Sequence, residues 1–143
     1  MQALCDLAKT WAPLFGRALI TFIFLRSAYG KIMGFTAVSG MMATKGMPFS
    51  DALLAGAIAF EIAGSLMILA GWHARIGALL LAVFLVPATL IFHNFWAADP
   101  AQLSNQLNHF MKNLSIFGVL VFIIGMGSGP LSLREEDEQQ GPR

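Results

Sequence analysis

A chain of 143 residues is about one domain's worth, but 57% of it is hydrophobic and only 12% charged, with a mean hydropathy of +0.68. Ordinary soluble domains carry roughly 25% charged residues, so this composition leaves too little polar surface for a small water-borne globule and points to a membrane protein. The low charge and abundant Phe, Met and Leu exclude disorder, the lone Cys5 excludes a disulfide scaffold, and nine Lys and Arg scattered singly for a net +1 exclude a nucleic-acid surface.

Residues 1–10, MQALCDLAKT, form a short amino-terminal segment. The apolar stretch after them is no signal-peptide core, because it contains Arg17 and Arg26, is too long and lacks a small-x-small exit. It is the first of four spans, at about 11–33, 51–71, 76–97 and 109–127. Each can reach the roughly 20 residues a helix needs to cross a hydrocarbon core of about 30 Å. Backbone polar groups cannot be left bare in lipid, and the stretches do not alternate, so they are helices and not barrel strands. The expected fold is all-α, an integral membrane four-helix bundle over residues 11–128 with a polar tail at 129–143. Between the spans, residues 34–50 read as a Gly- and Met-rich loop with room for a short interfacial helix, residues 72–75 as a tight turn, and Asp99-Pro100 as the opening of a polar loop.

Four spans put both termini on one side. Lys9, Arg17, Arg75, Arg134 and Arg143 lie toward that side and Lys31, Lys45 and Lys112 toward the other, a five-to-three bias that predicts a cytoplasmic location for both ends.

An ionisable group inside a span costs at least a few kcal/mol and must find a partner, face the bundle interior or snorkel. Glu61 lies about ten residues into the second span, near mid-membrane, with Ala57, Ile58, Gly64 and Ser65 on its face. Small residues there let another helix approach, so Glu61 is expected to point inward. Two readings stand side by side: a buried ion pair that fixes register, and a carboxylate that handles a proton or a ligand. Counting depth along the helices pairs it with Arg26. Arg17 and Lys31 share a face of the first helix, nearly opposite Arg26, and sit near span ends where snorkelling accounts for them.

A second polar group gathers where the third span ends and the fourth begins. Thr89, His93 and Trp96 share one face, and His109, Lys112 and Asn113 another. Antiparallel neighbours would bring these to one depth, near Lys31, to form a cationic, aromatic-lined pocket; the alternative is interfacial anchoring by Trp, His and Lys. Pro87 lies mid-span, where its missing N–H is expected to kink the third helix and redirect its His93 end. A metal centre is not expected, since no tight His spacing supports one. Phosphate loops, nucleophile elbows and dinucleotide fingerprints are absent.

Arg17 with FLRSAYGKIMGF (24–35), MMATKGMP (41–48), FEIAGSLMILAGWHARIGALLLA (60–82), IFHNFW (91–96) and HFMKNLSIFG (109–118) together resemble the DoxX family of small four-helix membrane proteins. The resemblance runs over residues 14–127. Arg26 and Ala28 depart from it, standing where similar proteins are usually apolar or Gly, which would make an Arg26–Glu61 pair particular to this chain. The resemblance implies a bacterial inner-membrane protein with both ends cytoplasmic, and an association of some members with quinone-linked oxidoreductases and others with membrane complexes that handle oxidative or thiol stress.

The leading expectation is a membrane subunit of a redox system that holds a quinone-like or other amphipathic ligand among Arg17, Lys31, Glu61, His93, Trp96, Lys112 and Asn113. No electron-carrying group is evident in the chain, so a redox-enzyme partner would have to supply that chemistry. The competing expectation is a non-catalytic adaptor or assembly subunit, or a homo-oligomer packed through Gly-rich faces. A complete transporter is disfavoured by four helices without an inverted repeat.

Overall fold

The structure is a computed structural model that describes residues 1–133. Among the described residues the regular elements are all helical: α1 (Gln2–Met33), α2 (Phe35–Thr44), α3 (Ser50–Ala70), α4 (Ala74–Phe92), a 3₁₀ turn (Phe95–Ala97) and α5 (Pro100–Met126). The segments α3, Ala74–Ala97 and α5 are each long and apolar enough to cross a membrane, and α1 joined to α2 makes a fourth, bent by 91°. The bundle is therefore a helical membrane bundle of three to four spans. Its large outward-facing side chains, such as Leu19, Phe22, Leu66, Val83 and Phe122, suit lipid.

Helix α1 is longer than its apolar stretch. Residues 1–9 are all exposed and carry the helix beyond the bundle, and packing begins near Pro13 and Arg17. From there Arg17, Ile20, Thr21, Phe24 and Ala28 are buried, at the three- and four-residue steps of a single face. The loop expected at 34–50 contains a real helix, α2, which lies across one end of the bundle. Ser39 on α2 hydrogen-bonds Ser50 at 3.0 Å and donates to the Asp51 carboxylate, so the crossing helix is pinned to the start of α3.

Helices α1, α4 and α2 each pack on α3, and α5 packs on α4. The closest approach is at Gly64 and Gly77. A Cβ on either glycine would lie 2.8 Å from the other's carbonyl oxygen, so only hydrogen at both positions lets the two backbones touch. Ile20, Phe24, Ile68, Leu81, Leu85, Ile116 and Leu120 fill the core between the four long helices. At the turn between α3 and α4, Gly71 takes φ 67°, and the Trp72 N–H reaches back to the Met67 carbonyl at 3.0 Å, the closure typical of a glycine-terminated helix. Helix α4 then runs on through Pro87 to Phe92. Helix α5 begins nine residues before the span expected at 109, with proline in its first turn, where a missing N–H costs nothing.

The chain after α5 differs from the solvated tail expected from 129 onward. Residues 127–133 fold back as a strap across the Gly71 end, with Gly127 at φ 82° and Gly129 at φ 68°. Arg17, only 3% exposed, donates through Nη2 to the carbonyls of Pro130 at 3.2 Å and Leu131 at 2.7 Å, and the Leu133 N–H bonds the Ala70 carbonyl at 3.0 Å. Ser128 is buried as well. The charged part of the expected tail, 134–143, lies outside the described residues.

Candidate functional site

The buried face of α1 continues past Ala28 to Lys31, and this decides the partner of Glu61. The Lys31 ammonium donates to both carboxylate oxygens of Glu61 at 2.9 Å and to Ser27 Oγ at 2.6 Å. All three of its N–H donors are thereby used. Glu61 is 1% exposed and Lys31 21%. The Arg26–Glu61 pair expected from depth counting is not made. Arg26 points about 160° away from the Phe24 direction on a helix of 3.6 residues per turn, whereas Lys31 lies almost in line with it. Azimuth around the helix outweighs the small mismatch in depth, which a lysine stem spans.

Arg26 is instead exposed at a cavity rim. Its guanidinium carbon lies 5.9 Å from the centroid of the Tyr29 ring, and the side chain folds along α1 toward Gly30. The cavity behind it has a volume of about 810 Å³, of the size that holds a drug-sized ligand. Its walls are mostly apolar, with Phe24 from α1, Met41 and Met42 from α2, Phe60 from α3, and Phe84 and Leu85 from α4. Lys31, Glu61, His93, Lys112 and Asn113 line it too, so five of the seven ligand-binding candidates share one space.

The other two do not. Arg17 binds the strap at the opposite end of α1 and is structural there. It does not snorkel, because the strap supplies carbonyl acceptors. Trp96 sits on the 3₁₀ turn, 58% exposed, edge-on to Phe95 and Phe110 at centroid distances of 5.2 and 6.0 Å.

Around the cavity, side chains from α4 and α5 hold one another in place. His93 meets Gln106 at 3.1 Å through Nδ1, its ring stacks on His109 at 4.9 Å, and His109 Nδ1 lies 3.3 Å from Lys112 Nζ. Asn113 donates to Thr89 Oγ1 at 3.0 Å, and Thr89 donates to the Leu85 carbonyl at 2.7 Å. The chemistry available is hydrogen bonding and charge: an ammonium at Lys112, a guanidinium at Arg26, a histidine pair and a side-chain amide, beside an ion pair that satisfies itself.

Sequence reasoning missed Ser27, Gln106, Phe84 and the α2 methionines. Ser27 was accessible in principle, since it precedes Lys31 by four residues on the same face. The methionines of α2 had no sequence signal, because only the right-angle bend after Met33 brings them over the cavity.

A helical bundle with several spans, a buried ion pair and an amphipathic cavity defines a small polytopic membrane protein. The DoxX family model matches residues 12–94, and the chain belongs to the DoxX family. Among its relatives are two inner membrane proteins of Escherichia coli K12. YqjF is 32% identical over 120 residues, covering 84% of this chain and 87% of its own length. YphA is 27% identical over 120 residues, covering 84% and 86%. No solved structure gives a significant match.

Proposed function

We propose that the chain is an inner-membrane binding subunit that holds a quinone-like or other amphipathic ligand in the cavity between α1 and α5 and serves a redox system whose electron carrier resides on a partner. The observation that carries this reading is the cavity itself: about 810 Å³, apolar along α2 and α4, and polar where His93, Lys112 and Asn113 converge. An apolar body would lie against Phe60, Phe84 and the methionines, while an oxygen-bearing head would accept hydrogen bonds from Lys112 or Asn113. The Lys and Arg bias along the chain supports an orientation in which Lys45 and Lys112, and with them the polar end of the cavity, face away from the cytoplasm.

Ala57→Phe would fill the cavity from α3, where Ala57 is half-buried on its wall. The purified chain in a mild non-ionic detergent is expected to retain an extractable amphiphile and to bind decylubiquinone, and Ala57→Phe is expected to weaken both at least about tenfold, or about 1.4 kcal/mol, without lowering the unfolding temperature. A wild-type chain that retains nothing and binds no such probe would remove the reading.

The same proposal sets both termini in the cytoplasm. In a Cys5→Ser background, a cysteine at Lys45 is expected to react with a membrane-impermeant maleimide in intact cells, and one at Gln2 only after lysis. The opposite pattern would invert the orientation.

A further inference from the structure

We infer that the head group accepted by this cavity is an anion, so that its preferred occupant is an anionic amphiphile carrying a phosphate or carboxylate. The inference rests on the ligand-binding reading above and narrows it to a chemical class. It starts from a charge count over the cavity lining. The lining holds three permanent cations, Arg26, Lys31 and Lys112, against a single carboxylate, Glu61. Glu61 is already committed, because Lys31 satisfies both of its oxygens and Ser27 takes the remaining ammonium proton. That pair is neutral as a unit and leaves Arg26 and Lys112 without an acid.

Neither cation finds an acid elsewhere among the described residues. Lys112 meets the His109 ring, with Nζ 3.3 Å from Nδ1, and Arg26 meets the face of Tyr29. Position in the membrane makes this costly. Arg26 is nine residues from Arg17, at the strap end, and eight from Gly34, at the bend, so its Cα lies roughly 12–14 Å from either level. A guanidinium attached there, even one that folds outward toward Gly30, carries the few-kcal/mol penalty of an intramembrane charge. Folding outward also brings it closer to the level of Lys31 and Lys112, where the cavity is polar.

An anionic head between Arg26 and Lys112 would offset the excess of two positive charges, a carboxylate by one and a dianionic phosphate by both. A guanidinium binds phosphate or carboxylate in a bidentate fashion, and Lys112 would add a point charge from the facing helix. The neighbouring groups fit the same head: Asn113 offers an amide donor one residue on, and the stacked pair of His93 and His109 brings no acid to repel it. The apolar walls then receive one hydrocarbon tail. A neutral head would leave both cations uncompensated, and a cationic head would add a third.

The test is calorimetric titration of the full chain in phosphatidylcholine nanodiscs, with empty nanodiscs subtracted, using octyl phosphate, octanoate, octanol, octyltrimethylammonium and inorganic phosphate. Octyl phosphate and octanoate are expected to bind at least about tenfold more tightly than octanol, with no measurable binding of the ammonium or of tail-less phosphate. Arg26→Gln and Lys112→Gln should each erase most of the preference for the anions over octanol, and an unfolding temperature equal to that of the parent chain separates loss of the charge from loss of the fold. Replacing a third of the lipid by phosphatidylglycerol identifies the source: competition assigns the anion to a bilayer headgroup, and unchanged affinity to a free amphiphile. Equal binding of octanol and the anions, unaltered in both variants, would overturn the anion assignment while leaving the cavity a binding site. Absence of binding by every tailed probe would overturn both.

Discussion

Lys31→Met is expected to be among the most damaging single substitutions in the bundle, at about 3–5 kcal/mol, because it strands a carboxylate that is 1% exposed. The reverse change, Glu61→Gln, should cost less. Lys31 keeps its bond to Ser27, is 21% exposed and can lift its ammonium toward the α2 end. In the double variant both charges are gone, so its loss should fall well below the sum of the single losses. Chemical unfolding in detergent measures all three, and strict additivity would mean that the pair contributes nothing. Arg26→Leu combined with Glu61→Gln serves as the control and should be additive, since those two side chains do not meet.

Gly71→Ala is the second large effect. The residue sits at φ 67°, a left-handed conformation that costs a side chain about 1–2 kcal/mol. Its added Cβ would also collide with Arg17 Nη1 and with Ser132 Cβ. Either the guanidinium or the strap must move, and the total loss should reach about 3 kcal/mol. Limited proteolysis should then cut the carboxy-terminal segment faster than in the parent chain. Gly118→Ala is the matched comparison: nothing lies within 4 Å of a Cβ there, and helix propensity favours alanine, so it should be neutral or slightly stabilising. Similar behaviour of the two variants would show that the strap does not pack against the turn.

The helices were legible because long apolar runs without alternation favour helix, and the four expected segments overlap α1, α3, α4 with its 3₁₀ extension, and α5. Their ends were less legible, for a physical reason. Helix α1 starts at Gln2 and α5 at Pro100, where the helix continues into polar sequence that carries no apolar signal. Proline at the first turn of α5 marked that start, but the surrounding Asp, Gln and Asn resembled a loop. The Glu61 partner was misjudged because depth was weighed above helical angle, although the shared face of Arg17 and Lys31 was visible in the spacing. The strap was hidden altogether. GSGP reads as a stop signal, and nothing local reveals that a backbone turning through positive φ will return to offer carbonyls to an arginine more than a hundred residues away.

That separation has a consequence for biogenesis. Arg17 lies on α1, ahead of the other long helices in the chain, while its acceptors, the carbonyls of Pro130 and Leu131, follow 113 and 114 residues later. At about 5–20 residues per second of synthesis, the guanidinium spends roughly 6–23 seconds without them. During that interval it must stay hydrated at the membrane surface, which holds the amino-terminal end of α1 near water while α3, α4 and α5 are inserted. The strap residues are then the ones that draw this charge into the protein, so the Gly71 end of the bundle closes only after α5 has been made.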